Sequence, residues 1–83
     1  MMTQEDIYNN VVRIVSKHAK DTEALSSIHP DTHILNDLKV NSARLVDIVL
    51  DFEDTFDLEI SDDDADRIAT IGDAVMLVKA LKN

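Results

Sequence analysis

The chain has 83 residues, enough for one small domain with a thin core and little room for a deep catalytic cleft. Seventeen acids against eight Lys and Arg give a formal charge of −9, which argues against nucleic acid as a partner and suits basic patches on other proteins. Cysteine is absent, with one glycine and one proline, so disulfides and thiol catalysis are excluded and loop-rich or hairpin-rich folds are disfavoured.

The first residues, Met1 to Asp6, are acidic and lack the basic-then-apolar order of a signal peptide, so a cytoplasmic location is expected. Thr3 to about Ala19 reads as a helix. Thr3 with Asp6 forms a capping-box pattern, and Ile7, Val11, Ile14 and Val15 follow at helical spacing. Lys20 to Asn41 shows no sustained period and contains turn-prone pairs, including Pro30-Asp31 and Asn36-Asp37. A connection this long should be functional or pinned down, and Leu25, Ile28, Ile34, Leu35 and Leu38 are its expected anchors.

Ser42 to Phe56 is the strongest helical pattern. Leu45, Val49, Phe52 and Phe56 recur along one face, with Val46, Ile48 and Leu50 broadening it. Asn41 is placed to cap this helix. Arg44, Asp47, Asp51 and Asp54 share the opposite side. Ser61 with Asp64 opens a short helix over residues 62–67, and Thr70 with Asp73 opens a last one carrying Ile71, Ala74, Val75, Val78 and Leu81 inward. Val46, Val49, Phe52, Ile60, Ile68 and Ile71 read as core. The expected fold is all-α: a four-helix bundle with three longer helices, a short third helix and a long first loop, as one domain over residues 1–83. No run of about 18 apolar residues exists, so no membrane span is expected.

Charge is segregated. Between Leu45 and Asp66 there are ten acids and no Lys or Arg. The stripe Asp47, Asp51 and Asp54, with Arg44 at its head, is the expected partner-docking face; a merely solvated face is the plainer reading of any charge run. Asp62, Asp63, Asp64 and Asp66 fail the spacing of a calcium loop. His18, His29 and His33 have no zinc spacing and read as surface or loop residues, so no metal site is expected.

Ser42 opens the second helix. From spacing alone it is an ordinary first-turn serine, although free amides and the dipole at a helix start favour a phosphate there. Arg44 is unusual, because the other three helix starts carry an acid at the equivalent place. It is read either as balancing such a phosphate together with Lys39 or as pairing with Asp47.

The ordered pattern from about Ile34 to Leu81 resembles the acyl carrier protein family. Leu35-Asn36-Asp37-Leu38-Lys39-Val40-Asn41-Ser42-Ala43 is similar to the signature around the family's Asp-Ser-Leu motif. Phe52 through Ile60 resembles the end of its second helix and the connector, residues 62–68 its third helix, and Thr70-Ile71-Gly72-Asp73-Ala74-Val75 the start of its fourth. The resemblance implies that Ser42 carries 4′-phosphopantetheine, whose thiol holds acyl groups as thioesters for fatty-acid, lipid or polyketide enzymes. It further implies loading by a phosphopantetheinyl transferase, docking to acyl-transfer and chain-elongation enzymes through basic patches, a monomeric state and no catalysis by the chain itself. Part of the core could double as an acyl pocket. Three departures from the family stand out: Asn41 replaces Asp, Ala43 replaces Leu, and the lead-in Lys39-Val40-Asn41 replaces Gly-Ala-Asp, which points to a specialised carrier. Phe52 stands where the family has an aliphatic residue. A peptidyl or aminoacyl carrier, and an acidic adaptor that is never modified, are the alternatives.

Overall fold

The computed structural model describes residues 3–19 and 27–82, so the expected anchor Leu25 lies outside the described residues. These residues form four helices: α1 (Gln4–His18), α2 (Ser42–Phe56), α3 (Asp62–Asp66) and α4 (Ile71–Lys82).

Local chemistry sets most of the boundaries. Thr3 Oγ1 accepts from the Asp6 amide and Asp6 Oδ2 accepts from the Thr3 amide, both at 3.1 Å, closing the capping box of α1. At α4, the Asp73 amide donates to Thr70 Oγ1 at 3.0 Å. The Asp73 carboxylate accepts from the amides of Thr70 and Ala69, and the Thr70 bond in particular holds its pKa below the usual carboxylate range. Ser61 caps α3 through the Asp64 amide. α2 ends at Asp57, whose φ of 53° is left-handed, a conformation that aspartate tolerates better than most side chains. Lys82 Nζ then donates to the Phe56 carbonyl at 3.0 Å, satisfying an end that has no following helical partner.

The core lies between α1, α2 and α4. Val11, Ile14 and Val15 of α1 meet Ile48, Phe52 and Phe56 of α2 and Ile71, Val75 and Val78 of α4, all buried. The rings of Phe52 and Phe56 are tilted at 52° with centroids 6.3 Å apart. Four expected inward residues are instead exposed: Val46 at 59%, Leu50 at 56%, Leu35 and Leu81. For α2 the reason is the brevity of α3. Five residues buttress only the flank of α2 that carries Val49, and the next strip of the helix, with Val46 and Leu50, faces water.

The long first loop is tied at both ends of its described part. Ile34, Leu38 and Val40 are buried. Ile34 donates its amide to the Ala69 carbonyl at 2.9 Å, and an antiparallel bridge joins His33 to Thr70. The amides of Ile71 and Gly72 donate to the carbonyls of Thr32 and Pro30, so the loop satisfies first-turn donors of α4 that have no intrahelical acceptor. This approach explains the single glycine, because a Cβ at position 72 would lie 3.0 Å from the Pro30 carbonyl oxygen.

Candidate functional site

The loop delivers the chain to α2 in a fixed conformation. Leu38 and Val40 are buried on either side of Lys39, which is exposed and adopts φ 57°. That left-handed residue turns the chain so that Asn41 becomes the N-cap of α2. Asn41 Oδ1 accepts from the Arg44 amide at 2.8 Å. Ser42 is therefore the first helical residue, exposed, beside amides that have no intrahelical acceptor.

Ser42 stands at the mouth of a groove of about 310 Å³ between α2 and α3. Leu45, Val46, Val49 and Leu50 form one wall, Ile60 and Ala65 the other, and Glu53, Asp62 and Asp66 bring carboxylates to its edges. A larger hollow of about 610 Å³, lined by Tyr8, Pro30, Gly72, Val75 and Met76 among others, lies between α1 and α4 and does not include the serine. The smaller groove is the one that chemistry at Ser42 can use.

The expected docking residues divide. Arg44, Asp47 and Asp54 are exposed on α2, with Arg44 Nη1 3.7 Å from Asp47 Oδ2. Asp51 faces α1 instead. His18 Nε2 donates to Asp51 Oδ2 at 2.8 Å, and Lys17 Nζ lies 3.8 Å from the same oxygen. The His18 hydrogen bond, aided by the charge of Lys17, holds the Asp51 carboxyl below its usual value. His18 is thus a half-buried strut between two helices, where a surface or loop histidine was expected. No sequence spacing links residues 18 and 51, so only the packing of α1 on α2 reveals the pair. Val46 and Leu50 take the place beside Asp47 and Asp54 on the solvent side. Helical spacing places both on the apolar face, and only the shortness of α3 leaves them uncovered. Phe52 does not line the groove; its ring is buried on the α1 and α4 side.

The residues present fit a phosphate-linked arm: an exposed hydroxyl, first-turn amides and an apolar groove opening beside it. Among the described residues, no group of three or more His, Asp or Glu side chains is placed to hold a metal ion.

The profile of the family described as "Phosphopantetheine attachment site" matches residues 11–78. The chain belongs to that family. The acyl carrier protein of Lactobacillus johnsonii is 38% identical over 82 residues, covering 99% of this chain and all of that protein. That of Prochlorococcus marinus is 38% identical over 81 residues, 98% of this chain and 99% of the relative. A solved acyl carrier protein from Enterococcus faecalis superposes with a TM-score of 0.79 at 34% identity, covering 96% of this chain and 99% of its own. Within the family the chain does the work of an acyl carrier, with 4′-phosphopantetheine as its cofactor. These relatives favour neither a peptidyl carrier nor an unmodified adaptor. They are carriers and not catalysts, and membership implies a phosphopantetheinyl transferase and biosynthetic enzymes as partners. No helix of the described residues is long and apolar enough to cross a membrane.

Proposed function

We propose that Ser42 is the attachment point, and that residues 1–83 act as a cytoplasmic, monomeric acyl carrier domain without catalytic activity of its own. The observation that supports this is the exposed Ser42 hydroxyl at the first position of α2, at the mouth of an apolar groove. Asn41 fixes the start of the helix, so the Ser42 backbone is held at the first helical position. The amides of the first turn and the positive end of the helix dipole favour the phosphodiester. Bound there, phosphopantetheine supplies the thiol that holds the acyl group as a thioester. The groove walls supply apolar cover beside the attachment point.

Incubation with CoA and a broad-specificity phosphopantetheinyl transferase should raise the intact mass by one phosphopantetheine, and Ser42→Ala should abolish the gain. A Ser42→Ala protein that still gains the arm would refute the assignment.

Docking follows from the outer face of α2. Val46 and Leu50 offer apolar contact, and Asp47 and Asp54 offer charge to a basic patch, with Arg44 at the serine end. Asp51 is held by His18 and contributes less. Association with the loading transferase should slow steeply as salt rises. An on-rate indifferent to salt would refute a charge-guided approach.

A further inference from the structure

α2 opens with a charge that its own dipole disfavours. Its first turn holds no acid and carries Arg44, whereas α1 begins with Glu5 and Asp6, α3 with Asp62, Asp63 and Asp64, and α4 with Asp73. The ion pair that Arg44 makes is loose. Its Nη1 stands 3.7 Å from Asp47 Oδ2, beyond hydrogen-bonding range, and both side chains are 53% exposed. Lys39, exposed three residues before Ser42, adds a second cation at this end of the helix.

The charges of α2 fall on two lines. At about 100° per residue, Arg44 and Asp51 share one line about 10 Å long, on the side where α1 packs. Asp51 is already answered there, because His18 Nε2 and the exposed Lys17 Nζ both approach its Oδ2. Asp47 and Asp54 form a second line about 60° further round, with the exposed Val46 and Leu50 beyond it. Past these, toward α3, Glu53 Oε2 accepts from the Ile60 amide at 2.9 Å, and Asp62 and Asp66 are exposed. The face around Ser42 therefore has two signs: cations on its α1 edge and acids on its α3 side.

A partner lined only with basic side chains is repelled at Arg44, beside the serine that it has to reach. A partner of two signs gains on both sides and is complementary in one orientation only. We propose that the α1 edge of this face, Arg44 with Lys17 and Lys39, docks carboxylates of the phosphopantetheinyl transferase, while basic side chains of that enzyme meet Asp47 and Asp54. Arg44 is thus a specificity-determining residue, which selects an enzyme with an acid at that place and fixes how it is turned about Ser42. The inference rests on the proposed docking through the outer face of α2.

The sign of one substitution decides between the two kinds of partner. Association with the transferase of the same cell, followed by surface plasmon resonance on the Ser42→Ala background with CoA present, reads docking without transfer. Arg44→Glu should slow the on-rate about tenfold at low salt, and the difference should vanish at high salt. Arg44→Lys, which keeps the charge, should leave the on-rate near that of the parent. Lys17→Gln and Lys39→Gln should each slow it by about twofold. Arg44→Glu places in the first turn the acid that the dipole favours, so the variant keeps its fold. A faster on-rate in Arg44→Glu marks a uniformly basic partner and overturns the inference, as does an unchanged one or a loss that persists at high salt. On-rates indifferent to Asp47→Lys and Asp54→Lys would instead refute docking through the outer face of α2, and the inference with it.

Discussion

Lys39 is the residue whose backbone asks most of its side chain. Its φ of 57° lies in the left-handed region, where a residue with a Cβ is disfavoured by about 1–2 kcal/mol relative to the right-handed alternative. Glycine reaches that conformation without the clash but loses about 0.5–1 kcal/mol more conformational entropy on folding. Lys39→Gly should therefore stabilise the protein by about 0.5–1 kcal/mol. For a domain of this size that is a rise in Tm of about 2–8 °C. The side chain is exposed and makes no hydrogen bond or ion pair among the described residues, so its removal has little other effect. Lys39→Ala is the control, because it deletes the same charge yet keeps a Cβ. Thermal unfolding followed by circular dichroism at neutral pH compares the three proteins. If Lys39→Gly melts no higher than Lys39→Ala, the turn that presents Asn41 and Ser42 is not strained, and the reasoning fails.

Two further perturbations test the site. Asn41→Ala removes the acceptor of the Arg44 amide and should cost about 1 kcal/mol in urea unfolding, with slower loading by the transferase because the helix start that carries Ser42 frays; an unchanged midpoint would deny Asn41 its capping role. Asp51 has a folded-state pKa below its unfolded value, so at pH values between the two the unfolded chain binds the extra proton. Its contribution is complete above the ordinary carboxylate pKa of about 3.9 and is lost as pH falls through the depressed value. Below about pH 4, urea midpoints of the wild type should therefore fall more steeply than those of Asp51→Asn, and parallel curves would refute the His18–Asp51 account.

The helices were legible because each start carries its own chemistry. Thr3, Asn41, Ser61 and Thr70 cap where their spacing indicated, since an N-cap is a local bond between neighbours in sequence. Fold and family were legible for a related reason, as the ordered run from Ile34 to Leu81 combines elements each recognisable alone. What escaped depends on contacts between distant segments. Val46 and Leu50 continue the apolar face of α2 by any periodicity, and only the brevity of α3 leaves them in water. Asp51 shares a face with Asp47 and Asp54, but the roughly 40–60° that it is turned round the helix from them brings it to His18 on α1. Glu53 gave no signal, because an acid near a helix end is unremarkable until the connector folds back onto it. Phe52 was read as core and is core, and its direction, away from the groove, was set by which helices pack behind α2.

The antiparallel tie between residues 30–34 and 69–72 makes the segment before Ser42 depend on residues that come much later in the chain. Ser42 leaves the ribosome well before Ala69 to Gly72 do. Until those later residues emerge, the carbonyls of Pro30 and Thr32 lack their partners, and the segment leading to the serine is held by only part of its bonds. The frame that leads to Ser42 is therefore complete only once the start of α4 has docked on the loop.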